Sequence, residues 1–97
     1  MRLTNQEIQA IISSIHGFDG TADIYLFGSR VDDLEKGGDI DLLVISDHLT
    51  LTDKISILMS IKDQIGEQRI DLSLKTKKDL REDPFVQSVL PHVIKLI

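Results

Sequence analysis

The order of apolar patterns along the chain predicts an α+β fold, in which helices pack against a mixed β-sheet. Two long segments carry apolar residues at helical spacing, one near the N-terminus and one in the middle of the chain. Short runs of strand-forming residues lie between and after them. The 97 residues, 41% of them apolar and 28% charged, are typical of one compact globular domain, which we place at residues 1–97.

The two long helices have recognisable first and last residues. Thr4–Glu7 matches a capping box, and isoleucines follow it at helical spacing as far as Gly17. Thr50–Asp53 resembles a second capping box, and Gly66 is expected to stop the helix that starts there. We therefore expect two amphipathic helices whose apolar stripes face the sheet.

Three strands are predicted around these helices. The run Ile24–Phe27 ends abruptly at a glycine, and Ile40–Ile45 is almost entirely apolar. Between them, Arg30–Gly38 has no apolar period and is interpreted as a short helical turn plus a surface loop. Arg69–Leu74 alternates strictly, which predicts a half-exposed strand with Asp71 on its polar face.

The C-terminal part is less regular. Asp83-Pro84 is a favourable helix start and predicts a short helix that ends around Pro91. His92–Ile97 is compatible with an edge strand or with an apolar tail that docks on a partner.

Composition excludes several functional classes. The chain has no cysteine, so disulfides, zinc–thiolate sites and cysteine nucleophiles are absent. Its formal charge of −5 disfavours general nucleic-acid binding. No secretory signal is recognisable, and no apolar run approaches the roughly 20 residues of a membrane span. We expect a cytoplasmic protein that does not bind membranes.

Three short motifs place carboxylates beside a tight turn: Phe27-Gly28-Ser29, Asp39-Ile40-Asp41-Leu42 and Ile70-Asp71-Leu72. Residues two apart in a strand point to the same face, which predicts the two aspartates of the second motif side by side, roughly 6.5 to 7 Å apart at the backbone. Such a pair suits two Mg²⁺ ions, which prefer oxygen ligands. Asp71 is the candidate third ligand and general base, on a strand expected next to that pair.

The turn itself has features of a phosphate site. Gly28 allows a close approach of backbone to phosphate, and the Ser29 hydroxyl and nearby amides are candidate phosphate ligands. Arg30 would add positive charge there. Taken singly, a Gly-Ser pair or an Asp-x-Asp is weak evidence, whereas all three motifs in order, with apolar flanks, are specific.

Together these motifs resemble those of the nucleotidyltransferase (polymerase beta-like) superfamily, and the chain is most similar to its minimal nucleotidyltransferases, the MNT group. The resemblance covers roughly residues 4–90 and implies a nucleotidyltransferase fold with ATP or another NTP as substrate. It implies that Asp39, Asp41 and Asp71 bind Mg²⁺, with Mn²⁺ as an alternative, and that the turn residues seat the triphosphate. It also implies an antitoxin that transfers AMP to a HEPN-domain protein encoded next to it.

Other functions compatible with these residues are kept as alternatives. A binding module of the same fold could neutralise its partner by contact, with catalysis weak or lost. Transfer to a small molecule is a further option, although 97 residues leave no room for a separate substrate domain. A homo-oligomer is also left open.

Overall fold

Both long helices begin at the predicted caps. The computed structural model describes residues 1–31 and 38–97, and in it α1 spans Asn5–His16 and α2 spans Leu51–Ile65. The Thr4 hydroxyl accepts from the Glu7 N–H at 3.1 Å, and the Glu7 carboxylate accepts from the Thr4 N–H at 2.9 Å. Thr50 and Asp53 make the same reciprocal pair at the start of α2. These caps satisfy amide donors that the first helical turn leaves unpaired.

Four strands form one mixed sheet in the order β3-β2-β1-β4. The strands are β1 Asp23–Phe27, β2 Ile40–Ile45, β3 Ile70–Lys75 and β4 Ile94–Lys95. Strand β1 is antiparallel to β2 and β4, whereas β2 and β3 are parallel. Parallel neighbours need a crossover connection, and α2 provides it. The predicted α+β class with a mixed sheet is confirmed.

The central strand β2 is buried on both faces. On one face, Ile40, Leu42 and Val44 belong to the main core with isoleucines of both long helices. On the other face, Leu43 and Ile45 pack against Val86 of a short helix, α4, which spans Pro84–Val89. Asp41 shares that second face because it lies two residues before Leu43, and it is only partly buried. The fold therefore leaves one end of this face open at Asp41.

The remaining described elements lie in the segment after β1 and in the C-terminal part, where the sequence patterns are less regular. A 3-10 turn covers Gly28–Val31, so the predicted helical turn begins two residues before Arg30. Residues 32–37, which belong to the predicted loop, lie outside the described residues. Helix α4 spans Pro84–Val89 behind the expected Asp83 cap, and β4 pairs with β1, which supports the edge-strand interpretation of the C-terminus. Helix α3, Asp79–Glu82, has only four residues and therefore no apolar period that would indicate its bounds. Among the described residues, no helix is long and apolar enough to span a membrane.

A buried carboxylate connects the turn after α1 to the end of β2. Asp19 is only 7% exposed, and it accepts hydrogen bonds from the Ser46 hydroxyl at 2.5 Å and from the amide and hydroxyl of Thr21. Ser46 in turn accepts from the amides of His48 and Leu49. The hydrogen bond from Ser46, followed by those from Thr21, lowers the pKa of Asp19 from 3.8 to about 2.

Asp19→Asn is expected to lower the free energy of unfolding by about 1 to 3 kcal/mol at pH 7, because charge-assisted bonds to a buried group are lost. The pKa of the folded state lies below that of the unfolded state. The stabilisation by the carboxylate is therefore present above about pH 4 and disappears as pH falls towards 2. Urea unfolding of both proteins across this range measures the difference. Asp63→Asn, at an exposed residue, is the charge-matched control, and a gap between wild type and Asp19→Asn as large at pH 2 as at pH 7 would contradict this interpretation.

Candidate active site

The turn after β1 brings the backbone of Gly28 against a carboxylate. Gly28 has φ +77°, a conformation that side chains disfavour. A Cβ added to it would overlap with Oδ2 of Asp41 and lie 3.1 Å from its Cγ. Glycine is thus required twice at this position, once for the backbone conformation and once for the close approach of Asp41.

Sheet register sets a second carboxylate beside Asp41. Asp41 is paired with Phe27 of β1 on one side and with Asp71 of β3 on the other. Directly paired residues on neighbouring strands point to the same face, so the two carboxylates share it. Partial burial, and then the charges of Asp71 and Asp39, raise the pKa of Asp41 above its ordinary value. The charges of the other two predicted carboxylates therefore both act on Asp41.

Asp39 directly precedes β2, whose predicted bounds, Ile40–Ile45, are confirmed. Strand β2 begins at Ile40, and Oδ1 of Asp39 is 3.5 Å from Nε of Arg69. Over residues 1–31 and 38–97, no three His, Cys, Asp or Glu side chains are close enough together to surround one ion. The structure thus brings the aspartates together where β2 and β3 begin. They do not form a closed coordination shell, because Asp39 is directed towards Arg69.

The donor chemistry of this edge fits a hard divalent cation. Asp41 and Asp71 offer carboxylate oxygens only, the ligands that Mg²⁺ and Mn²⁺ prefer. After partial burial, the negative charges of Asp71 and Asp39 raise the pKa of Asp41, because both repel its ionised carboxylate. A divalent ion between these side chains would relieve that repulsion.

The predicted phosphate-binding residues have distinct surroundings. The Arg30 guanidinium donates to the carbonyl of Arg2 at 2.9 Å and to that of Gly38 at 3.4 Å. It therefore connects backbone segments in this structure, and its role towards phosphate stays a prediction. The Ser29 side chain lies outside the described part of the structure, so the role of its hydroxyl stays a prediction.

Sequence reasoning missed two polar contributions to this region. The Arg69 side chain, although exposed, pairs with Asp39. Gln68 had no recognisable signal, yet its side chain contacts both Glu7 of α1 and Arg30. Lys75, by contrast, donates to the α4 cap Asp83 at 2.7 Å, which raises its pKa and fits a structural role. Such partners are distant in sequence and are visible only once the fold is known.

A cavity of about 560 Å³ opens next to two of the aspartates. Asp39 and Asp71 line it together with Leu58 and Lys62 of α2, and Ile70 adds a second apolar contact. Its volume is within the range of small-molecule sites. Asp41 and Gly28 lie outside its lining, so the site has two sides, one at the Gly28 turn and one at the cavity.

Gly28→Ala is expected to destabilise the protein by about 1 to 3 kcal/mol, because a residue with a side chain would be strained at this φ and would displace Asp41. Two matched controls separate the causes, and urea unfolding measures all three variants. Gly66→Ala has φ +83° but nothing within 4 Å of the new Cβ, so it reports the backbone strain alone. Gly20→Ala has open space and no positive φ and should be nearly neutral. A Gly28→Ala variant as stable as Gly20→Ala would contradict this expectation.

Comparison of the sequence with known proteins identifies its family. A search among curated proteins found no match to the chain. The family model of the nucleotidyltransferase domain matches residues 6–96, nearly the whole length. Nucleotidyltransferase domains transfer nucleotidyl groups and generally use nucleoside triphosphates with divalent metals. On this match, and with the mixed sheet and carboxylate edge described above, the chain belongs to the nucleotidyltransferase domain family.

Proposed function

We propose that this protein is a Mg²⁺-dependent nucleotidyltransferase that moves AMP from ATP to a hydroxyl group of a HEPN-domain partner and thereby acts as an antitoxin in the cytoplasm. The observation that carries the enzymatic part is the row formed by Gly28, Asp41 and Asp71, in which a carboxylate lies between a tight turn and a second carboxylate. The partner and the antitoxin role rest on the resemblance to minimal nucleotidyltransferases.

The proposed reaction is a displacement at the α-phosphorus of ATP. The acceptor hydroxyl oxygen forms a bond to the α-phosphorus, the bond from that phosphorus to the bridging oxygen breaks, and pyrophosphate leaves with its electron pair. Asp71, exposed at the cavity, takes the hydroxyl proton. Cations held by Asp41, Asp71 and Asp39 would neutralise the triphosphate charge.

Asp39 has to change partners for this role. Its contact with Arg69 is long at 3.5 Å, and both side chains are substantially exposed, at 41% and 89%. An ion pair of this kind contributes little to stability, so releasing it costs roughly 0 to 1 kcal/mol. Arg69 would then be free to contact a phosphate or the acceptor.

The two sides of the site suit two substrates. On the Gly28 side, backbone amides of the 3-10 turn and the side chains of Ser29 and Arg30 would seat the triphosphate. On the other side, the cavity between α2 and β3 would admit the acceptor next to Asp71.

A second candidate is a contact antitoxin of the same fold with weak or lost catalysis. The observation that favours it is the Arg69 contact of Asp39, together with the lack of a three-ligand cluster in the described residues. In that case the acidic edge, formed by Asp39, Asp41 and Asp71, would be the remnant of a metal site or part of a contact surface.

A mixing assay separates the two candidates. The protein, Mg-ATP and the purified HEPN-domain partner are combined, and the intact mass and ribonuclease activity of the partner are measured. We expect the partner to gain the mass of AMP and to lose activity, and Asp71→Asn to slow the transfer by about 10²- to 10⁴-fold because the base is removed. Asp39→Asn with Asp41→Asn should abolish both effects.

Asp63→Asn, which removes the same charge from the exposed face of α2, is the control and should leave the transfer unchanged. Neutralisation of the partner that survives the double substitution would favour the contact antitoxin and contradict the enzymatic proposal.

A further inference from the structure

A buried carboxylate in α1 has one oxygen that helix capping does not use. Glu7 is 8% exposed, and its Oε1 completes the capping box with the Thr4 amide. Its Oε2 accepts instead from Nε2 of Gln68 at 2.8 Å, 61 residues away in sequence. Oε1 of Gln68 lies 3.5 Å from Nη2 of Arg30. This orientation of the amide is chemically required, since a carboxylate only accepts and a guanidinium only donates hydrogen bonds.

Arg30, at the end of these hydrogen bonds, also contacts the segment that carries Asp39. Nε of Arg30 donates to the carbonyl of Gly38, the residue directly before Asp39, at 3.4 Å. Arg30 is itself held in place, because its carbonyl accepts from the Arg2 amide at 2.7 Å and its Nη1 donates to the Arg2 carbonyl at 2.9 Å. The guanidinium thus bridges Gln68 and the backbone next to Asp39.

The residue after Gln68 contacts the same segment directly. The carbonyl of Arg69 accepts from the Ile40 amide at 2.9 Å, and its Nε lies 3.5 Å from Oδ1 of Asp39. A shift of the Gln68 backbone would therefore move contacts on both sides of Asp39. Asp39 needs such support because β2 begins only at Ile40, and no sheet pairing holds it.

We propose that Gln68 is a positioning residue, which joins Glu7 of α1 to Arg30 and so holds the backbone next to Asp39 in place, from where the Asp39 side chain would turn from Arg69 to a divalent cation. This inference rests on the proposed function, in which Asp39 is a metal ligand. Partners that orient metal ligands from outside the coordination shell typically change metal affinity by 10- to 100-fold when they are removed.

Gln68→Ala tests the proposal, with Gln64→Ala as the matched control. The Gln64 amide also connects two elements, because it donates to the Ser14 hydroxyl of α1 at 3.0 Å from its own place on α2, but it makes no contact with the Asp39 segment. Two measurements are made on each protein: hydrogen exchange of the Ile40 amide by NMR, and Mn²⁺ affinity by titration followed by electron paramagnetic resonance. Gln68→Ala should speed exchange at Ile40 and weaken Mn²⁺ binding, each by about 10-fold or more. Gln64→Ala should change neither.

A reciprocal exchange tests the hydrogen bond itself. Glu7→Gln alone leaves the Gln68 amide either facing another NH2 group or flipped, with its own NH2 group towards Arg30, and Gln68→Glu alone sets two carboxylates against each other. The double variant restores a donor–acceptor pair and keeps the cap, since glutamine also serves at the third position of a capping box. We expect both single variants to lose Mn²⁺ affinity and the double variant to recover most of it.

Equal Ile40 exchange rates and Mn²⁺ affinities in Gln68→Ala and Gln64→Ala would overturn the inference, and so would a double variant no better than the single ones. A wild-type protein that binds no Mn²⁺ would contradict the proposed function. The exchange rate at Ile40 would in that case still decide whether Gln68 holds the Asp39 segment.

Discussion

The parallel pairing of β2 with β3 is the constraint on which the candidate site depends. It sets Asp41 directly beside Asp71, although 30 positions separate them in the chain. The crossover through α2 makes this pairing possible, and the main core holds it in register. A slip by one residue would turn Asp41 into the core and a leucine out of it, so the same apolar burial that stabilises the fold also aligns the carboxylates.

Holding Asp41 close to the other carboxylates lowers the stability of the protein when no cation is bound. Like charges directly paired on neighbouring strands destabilise a sheet, and the raised pKa of Asp41 has this origin in part. The completely buried neighbours of Asp41 on β2, Ile40 and Leu42, compensate for that cost. Repulsion concentrated at one edge of an otherwise apolar strand is typical of a site that gains stability when it binds a cation.

Sequence patterns predicted most of this architecture because its signals are local. Capping boxes, a strand that stops at glycine and a strictly alternating strand are each encoded within about ten residues. The parts that sequence reasoning missed depend on distant contacts. Nothing near Gln68 in sequence indicates that it contacts Glu7, and nothing near Asp39 indicates that Arg69 lies beside it. The strand Ile40–Ile45 was predicted with the bounds that β2 has, whereas the side-by-side placement of Asp39 and Asp41 stays a prediction.

The most direct test of this account is a crystal structure of the protein with Mn²⁺ and a non-hydrolysable ATP analogue, with Mn²⁺ located by its anomalous scattering. The account predicts an ion in contact with the carboxylates of Asp41 and Asp71, and the analogue's phosphates beside the Gly28 turn. Ions bound only elsewhere on the molecule, or an analogue seated away from that turn, would contradict it.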